Sequence, residues 1–394
     1  MMSRSVALLI NFGHAIDHMF LLVFATAVSA IALDFGFTRW EDLMPWGAGA
    51  ALMFGLGSIP AGRLGDLWGR RAMMLIFFFG MGASMLLIAL TQNVWQLAIA
   101  LTLMGLFSSI YHPVGVPMLV RNSPNPGLTI GVNGLVGNLG IAASAVVTGL
   151  LVKYSNWHMA FVIPGLIALG CGVAFAMLAP RELSAPAKQV KAGAMLSREA
   201  IVRVLPVMTL TAITGSVIFN FTTNGNQQLM AERFAGVVND PAMLGALLGM
   251  VYVIASLSQV VVGKLIDVYP LKRVFFIVIL AQAPLLALSA TADSWAFLLL
   301  LGGFMIFIFG AVPFNDAMLV RYVDDHMRSR VAGMRLAISF SLSSFTVWAL
   351  GPAVKAAGFG TLLFVMAGIA LLTLLAVSLL PDTEPPSRAL EAAA

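Results

Sequence analysis

Long apolar runs follow one another along almost the whole of this chain, and they constrain its fold more than any other feature. Many runs reach about 20 residues, the length that an α-helix needs to cross the hydrocarbon core of a bilayer. Only 10% of the 394 residues are charged, against about 25% in soluble globular domains. Backbone groups inside a bilayer must be satisfied within each segment, so apolar spans of this length are helices rather than barrel strands. The sequence therefore predicts an all-α polytopic membrane protein.

Twelve transmembrane helices fit the alternation of apolar runs and short polar connections. They cover approximately 5–32, 45–61, 72–91, 96–120, 129–152, 159–179, 203–228, 243–262, 274–291, 295–320, 331–354 and 358–380. The first run has the apolar core of a signal peptide, but Asp17 and two histidines interrupt it. Because signal peptides rarely tolerate such residues, we expect the run to be retained as a helix.

Two six-helix halves are expected, because residues 181–200 break the hydropathy with Pro, Ala and charged residues. This segment is the natural cytoplasmic linker between an N-terminal half, 1–180, and a C-terminal half, 201–381. The remaining tail, 382–394, is short and polar, and we expect it to be disordered.

Basic residues are distributed unevenly over the connections. If the N-terminus is inside, the cytoplasmic loops and termini hold seventeen Lys and Arg residues and the outer loops hold four. This bias predicts cytoplasmic termini in a multi-pass protein of the inner cell membrane, with the lipid bilayer as its surroundings. Dispersed basic loops also account for the positive net charge, so no nucleic-acid partner is expected.

The two halves repeat one another at an offset of about 200 residues. The matching positions are Met118-Leu-Val-Arg121 with Met318-Leu-Val-Arg321, Gly62-Arg-Leu-Gly-Asp66 with Gly263-Lys-Leu-Ile-Asp267, Gly149 with Gly351, and Lys153 with Lys355. A register kept over three helices favours duplication of one six-helix unit. Parallel repeats with a substrate site between them are a known transporter architecture.

Three titratable side chains, His14, Asp17 and His18, interrupt the first span. At about 100° per residue they share one helical face. A charged group in hydrocarbon costs several kcal/mol, so this face is expected to line a proton or substrate pathway. Two histidines at i and i+4 with an acid between them also suit Zn²⁺ or a similar ion. A metal site on these three residues therefore stays open as an alternative.

Further polar residues within the spans are candidates for the same pathway. His112 precedes Pro113 in span four, where it either faces the pathway or bonds the carbonyl that the proline frees. Asn220 and Asn224 belong to an amide-rich stretch, 220–228, that either lines a cavity or marks a helix break. The other candidates are Asn138, Asp316 and Arg335. The last two are expected to form a gate or packing pair, with substrate contact as the alternative.

The loop Gly62-Arg-Leu-Gly-Asp66-Leu-Trp-Gly69-Arg70-Arg71 resembles the signature loop of the major facilitator superfamily. Gly62 and Gly69 allow close helix approach and a tight turn, Asp66 is expected to cap span three, and Arg70 and Arg71 anchor the inner surface. The resemblance implies that this loop is a conformational latch. It also implies the two-half fold of that family, alternating access, a monomer and no cofactor.

A narrower resemblance is to the fosmidomycin-resistance-like branch of that superfamily. It rests on His14 with its polar neighbours, on Tyr111-His112-Pro113 and on Gly137-Asn138-Leu-Gly140. It implies export of small, often anionic, organic compounds against protons. In the superfamily fold that the chain resembles, spans one and four line a central cavity, so His14 and His112 are expected to be neighbours there. The superfamily's span-four arginine is Leu101 here, so the cluster in span one would have to substitute for it.

The function expected from the sequence is proton-coupled efflux of a drug or metabolite by an antiporter. Uptake of a small organic acid or polar metabolite is the first alternative. A divalent-metal transporter and a transport-inactive sensor are the others. Neither a nucleophile elbow nor a phosphate-binding loop occurs in the sequence, so an enzyme is not expected.

Overall fold

The computed structural model describes residues 3–121, 123, 126–181, 198–322 and 325–381, and these are helical almost throughout, with no β-strand among them. The α-helices are α1 (Arg4–Asp34), α2 (Trp40–Leu43), α3 (Ala48–Trp68), α4 (Arg70–Ala89), α5 (Val94–Ser108), α6 (Val116–Val120), α7 (Pro126–Tyr154), α8 (Met159–Leu178), α9 (Arg198–Arg233), α10 (Pro241–Val268), α11 (Leu271–Ser289), α12 (Ser294–Tyr322) and α13 (Asp325–Ser378). A 3₁₀ turn at Met44–Gly47 leads into α3, and a π-helical turn at Tyr111–Gly115 joins α5 to α6.

Ten helical segments of the described chain are long and apolar enough to cross a membrane. The 21-residue α3, whose C-terminal end is charged, is an eleventh long helix. The 54-residue α13 contains a break at Gly358, where φ is 75°. An unbroken helix of that length would measure roughly 80 Å, far more than a bilayer core of about 30 Å. α13 therefore supplies two crossings, and the predicted all-α membrane fold is confirmed.

Some details of the predicted helices are wrong. α3 continues to Trp68, beyond the expected end at 61, so Asp66 lies in its last turn. Asp66 therefore does not cap the following helix, whose N-cap is Gly69, without a side-chain hydrogen bond. Gly69 has a φ of 88°, a value that favours glycine, and turns the chain directly into α4.

The second half begins earlier than expected, since α9 starts at Arg198 and is helical to Arg233. The amide-rich stretch 220–228 therefore does not mark a helix break. Residues 182–197, most of the predicted linker, and the predicted tail 382–394 lie outside the described residues. The exact bounds of the two halves, the linker and the tail therefore stay predictions.

Repeat-related glycines bring the two halves into close contact. A Cβ atom on Gly149 of α7 would lie 2.6 Å from the carbonyl oxygen of Pro241, at the start of α10. A Cβ atom on Gly351 of α13 would lie 2.1 Å from the carbonyl oxygen of Glu41 in α2. Because each contact leaves no room for a side chain, both positions permit backbone approach between helices.

Four residues beyond each glycine, a lysine forms an ion pair with the opposite half. Lys153 pairs with Asp240, and Lys355 Nζ lies 2.6 Å from Asp42 Oδ1. We call these two repeat-related contacts, Gly149 with Lys153 and Gly351 with Lys355, the clamps. Each half thus holds the other through the same pair of positions, at the end of the molecule opposite the signature loop.

Candidate functional site

A cavity of about 720 Å³ lies between the two halves, within the size range of sites for small organic ligands. Imidazole and amide groups from the first half and amide and hydroxyl groups from the second half contribute to its wall. The polar residues used below are His14, His18, His112, Asn138, Ser216, Asn220, Thr223, Asn224 and Ser343. Of the four candidates in spans one and four, the three histidines line the cavity and Asp17 does not.

His14 lies at the centre of the first-half wall and is held on three sides. Its Nδ1 atom is 2.7 Å from the backbone oxygen of Asn133 in α7. Because a carbonyl oxygen only accepts, Nδ1 must carry a proton, which leaves Nε2 of the neutral ring free to accept. The ring stacks on Tyr111 at 4.6 Å between centroids. A Cβ atom on Gly137 would lie 2.6 Å from His14 Cε1, so only glycine leaves room for this ring.

His18 lies one turn further along α1 and contacts His14 directly. The two Nε2 atoms are 3.0 Å apart, so with His14 protonated on Nδ1 the proton of this bond is donated by His18. Both rings make edge contacts with His112, at centroid distances of 5.0 Å from His14 and 5.7 Å from His18. The three imidazoles therefore form one cluster, which we call the histidine cluster.

Asp17 is fully buried behind the histidine cluster. The Ser108 hydroxyl donates a hydrogen bond to its Oδ1 atom. Its Oδ2 atom has no hydrogen-bond partner and lies 3.8 Å from His112 Nε2. An ionised carboxylate buried in this way is costly unless it is paired. Asp17 is therefore stabilised by a proton of its own or by a positive charge on His112.

The π-helical turn at Tyr111–Gly115 places His112 opposite α1. Pro113 has no backbone N–H and its ring excludes the regular helical bond, so the helix widens here. The Tyr111 hydroxyl donates to the Ile10 backbone oxygen at 2.9 Å and accepts from Asn133 Nδ2 at 2.7 Å. These bonds fix the turn to α1 and α7, so the position of His112 relative to His14 is set by both helices.

The amide side chains of the second half are of two kinds: some line the cavity, and others form hydrogen bonds between helices. Asn220 Nδ2 donates to Ser343 Oγ at 2.8 Å, and Asn220 and Asn224 both line the cavity. Gln228 instead accepts a hydrogen bond from Ser29 at 2.7 Å and so joins α9 to α1. Asn226 donates to the Tyr252 hydroxyl at 3.2 Å within the second half. The cavity thus uses the first part of the amide-rich stretch.

Asn138, on α7, lines the cavity from the first half. Its Nδ2 atom is buried and has no hydrogen-bond partner in the described structure. An unsatisfied buried amide has a free donor for a bound molecule. The side chains of Asp316 and Arg335 lie outside the described residues, so their pairing stays a prediction.

The arginines of the signature loop bind backbone oxygens at the ends of neighbouring helices. Arg71 donates to the carbonyls of Ala179, at 2.9 Å, and Ala176, at 2.6 Å. Arg70 donates to the Pro117 carbonyl at 3.3 Å. Such bonds satisfy free carbonyls and oppose the negative ends of the helix dipoles. A Cβ atom on Gly62 would lie 3.4 Å from Pro113, so this loop also packs beneath the π-helical turn.

Sequence reasoning missed Ser108 and Asn133. Ser108 lies four residues before His112, on the same helical face, so its spacing was a usable signal. Asn133 acts partly through its backbone oxygen, and any residue type has that group. Only the packing of α7 against α1 reveals this contact.

Comparison with known protein families shows which family the chain belongs to. The sequence profile of the Major Facilitator Superfamily matches residues 8–232 and 216–394. The chain belongs to this superfamily. It is therefore a multi-pass membrane transporter of the secondary type, and not an enzyme.

Curated relatives of this transporter include drug-resistance proteins. The multidrug resistance protein MdtG of Citrobacter koseri is 25% identical over 325 residues, which cover 79% of this chain and 77% of the relative. MdtG of Proteus mirabilis is 26% identical over 73% of this chain and 71% of its own length. The tetracenomycin C resistance and export protein of Streptomyces glaucescens is 31% identical, but over only 37% of this chain and 29% of its own.

Solved structures agree on the fold. The nucleoside transporter NupG, as a mutant, matches with a TM-score of 0.74 at 14% identity, over 95% of this chain and 99% of that one. An inward-facing bacterial homolog of the human lysosomal transporter Spinster matches with a TM-score of 0.68 at 13% identity, over 95% and 94%. Identities this low support the fold alone.

Proposed function

We propose that this transporter exports small organic compounds in exchange for protons, and that Asp17 and the histidine cluster bind the protons. One observation carries the proposal: Asp17 is fully buried, yet its Oδ2 atom lacks a hydrogen-bond partner and faces His112 Nε2 at 3.8 Å. A proton on either group removes the cost of this unpaired carboxylate oxygen. With one proton, on either Asp17 or His112, the pair has no net charge, and a second proton gives it a charge of +1.

The histidine cluster offers a route between Asp17 and the cavity. The side chain of His112 is 36% exposed, and this residue lines the cavity. It therefore stands between the enclosed carboxylate and the solvent-accessible space. Imidazole exchanges protons near neutral pH, which suits a carrier that must bind and release them in each cycle. Leu101, at the usual position of the family's arginine, also lines the cavity and has no proton to exchange.

The solute site is formed where the histidine cluster faces the second half. Its amides and hydroxyls, with Asn220 and Ser343 as the central pair, offer hydrogen bonds at fixed positions. Phe54 and Phe219 add apolar surface to the same wall. A drug or metabolite with an apolar body and a few polar groups fits this combination. Efflux is the direction supported by the drug-resistance and export names of the relatives.

Alternating access supplies the transport step. With the N-terminus in the cytoplasm, as the basic loops favour, the clamps lie at the outer end and the cavity would open inward. Solute and protons shift the balance between inward and outward states only through different affinities for the two. Loading Asp17 with a proton and loading the cavity with solute would therefore favour different states.

The test uses purified protein in liposomes, with ethidium as the transported probe and an imposed pH gradient as the driving force. The wild type is expected to accumulate ethidium, and collapse of the gradient by a protonophore is expected to abolish accumulation. Asp17→Asn, with the gradient imposed, should accumulate no more ethidium than the wild type does when the gradient is absent. Asp34→Asn is the matched control, because Asp34 lies at the end of the same helix, bonded to Trp157. Unchanged accumulation in Asp17→Asn, or without a gradient, would overturn proton coupling at this residue.

A further inference from the structure

We propose that His14, His18 and His112 bind a divalent transition-metal ion such as Zn²⁺, with the carboxylate of Asp17 beside His112. Each histidine offers one ring nitrogen, and these three atoms lie within 4.8 Å of one another. The ligands come from two separate elements, α1 and the π-helical turn, so the site forms only in the folded chain. This proposal does not depend on the transport activity proposed above.

The surroundings of His14 match those of a metal-binding histidine. Metal-bound imidazoles usually donate the proton of the other ring nitrogen to a carbonyl or carboxylate, which fixes the ring and its tautomer. His14 Nδ1 lies 2.7 Å from the Asn133 oxygen, and this bond directs the unprotonated Nε2 at the other histidines. Stacking on Tyr111 and close contact with Gly137 leave the ring little freedom to turn away.

The spacing of His14 and His18 is close to that of two ligands around one ion. With metal–nitrogen bonds of about 2.0–2.1 Å, a tetrahedral site places neighbouring nitrogens about 3.3 Å apart. The Nε2 atoms of His14 and His18 are 3.0 Å apart. Replacing their shared proton with an ion thus requires only a few tenths of an ångström of separation, within the reach of side-chain rotation.

Asp17 places a buried carboxylate beside one of the three histidines. Its Oδ1 atom is engaged by Ser108, whereas its Oδ2 atom is buried, has no hydrogen-bond partner and lies 3.8 Å from His112 Nε2. A buried carboxylate oxygen this close to His112 is stabilised by positive charge in the histidine cluster, such as a bound cation. The sequence-based alternative named His14, Asp17 and His18 as ligands, whereas the structure groups His14 and His18 with His112.

The donor set restricts the class of ion. Three imidazoles suit Zn²⁺, Co²⁺, Ni²⁺ or Cu²⁺, whereas Mg²⁺ and Ca²⁺ prefer sites built from oxygen ligands. Because His18 and His112 line the cavity, an ion held there would also be accessible to a donor atom of a bound solute.

The test measures binding in detergent, without a membrane gradient, on metal-stripped protein from which any affinity tag has been removed. Calorimetry with ZnCl₂ should give one ion per chain for the wild type, and MgCl₂ should give none. His112→Ala should weaken Zn²⁺ binding by at least about a hundredfold, more than the loss of an outer-sphere partner. His158→Ala is the matched control, because His158 stacks on Trp157 outside the cluster.

Cobalt provides a second readout that does not rely on the stability of a variant. A four-coordinate Co²⁺ site of three imidazoles and one solvent ligand should give intense visible absorption in the wild type, which one equivalent of Zn²⁺ should abolish. Absence of saturable Zn²⁺ binding and of that absorption would overturn the proposal. Zn²⁺ binding of equal strength in His112→Ala and His14→Ala would overturn it as well. Neither of these results would change the expected proton-driven transport of ethidium. Failure of one proposal can therefore be told apart from failure of the other.

Discussion

The two halves of this transporter share a scaffold but differ in chemistry. At the clamps both repeats keep the same residues, Gly149 with Lys153 and Gly351 with Lys355, because each glycine lies against a backbone oxygen of the other half. At the cavity the repeats diverge. At an offset of 201, His14 and Asp17 correspond to Gly215 and Ile218. Residues that set the distance between helices are therefore the same in the two halves, whereas residues that line the cavity differ between them.

The repeats also differ in side-chain size at the cavity. In the first half a large residue on the first helix, His14, faces a small one on the fifth, Gly137. In the second half the corresponding positions are Gly215 and Ser339, which are both small. A Cβ atom on Gly215 would meet nothing within 4 Å. The second half therefore leaves open space where the first half places an imidazole.

The largest expected effect comes from this pair of glycines. Gly137→Ala should displace the His14 ring, since its Cβ atom would lie 2.6 Å from Cε1, and overpacking of this kind costs about 1–3 kcal/mol. Ethidium accumulation should fall to background. Gly215→Ala, with open space around it, should leave accumulation intact and raise thermal stability by up to about 1 kcal/mol. Equal effects of the two substitutions on transport would contradict the asymmetry of the halves.

Ser108→Ala tests how the first half holds its carboxylate. The substitution removes the hydroxyl that donates to Asp17, and an unsatisfied buried acceptor costs about 1–3 kcal/mol. The charged form of Asp17 should become less favourable, so the pH profile of ethidium transport should move to higher pH. Ser84→Ala is the control, because the buried Ser84 hydroxyl has no hydrogen-bond partner in the described structure. A pH profile identical to that of the wild type would show that Ser108 does not tune the carboxylate.

Asn220→Ala tests, in the same ethidium assay, whether the second half binds the solute. It removes the hydrogen bond to Ser343 and one donor from the cavity wall. A single neutral hydrogen bond contributes about 0.5–1.5 kcal/mol, so the apparent KM for ethidium should rise about two- to tenfold. The number of protons moved per ethidium should stay unchanged. A changed proton ratio would place coupling in the second half as well.

Loss of a clamp should have the smallest effect. Lys355→Ala breaks the ion pair with Asp42, and exposed pairs contribute about 0–1 kcal/mol. Spin labels on the two halves should report a shift of at most about fivefold toward the other state. Lys153→Ala should match it, because the clamps are equivalent by repeat. A large difference between the two variants would show that one clamp alone controls closure.

The clamp at Lys153 should open only in strong acid. Its hydrogen bond lowers the pKa of Asp240 below the ordinary value. A lowered pKa means that the pair stabilises the closed end at neutral pH and loses this effect only as pH falls through the lowered value. The spin-label distance should therefore stay constant in mildly acidic buffer.

Much of this fold could be predicted from hydropathy and repetition, because the bilayer imposes both the length and the helical form of each span. The failures arise where helices leave the bilayer. α3 carries Arg63 and Asp66 in its last turns, and a hydropathy pattern ends before such residues although the helix does not. The break at Gly358 is a backbone turn that leaves the apolar composition unchanged.

The candidate site was partly predictable for a similar reason. The helical period places His14, Asp17 and His18 on one face, and the structure brings all three together with His112. The Asn133 oxygen and the space at Gly137 depend on how α7 packs against α1, which no spacing within one helix encodes. The amide-rich stretch shows the same limit, because Asn220 and Gln228 serve different contacts.

The central claim, that the first half carries the proton coupling, is tested most directly by comparing exchange with accumulation in one variant. Liposomes loaded with ethidium report solute exchange without a gradient, and the same liposomes with a pH gradient report accumulation. The account predicts that Asp17→Asn retains exchange but loses accumulation, whereas Asn220→Ala retains both with weaker affinity. Gradient-driven accumulation that persists in Asp17→Asn, or disappears in Asn220→Ala while exchange continues, would contradict it.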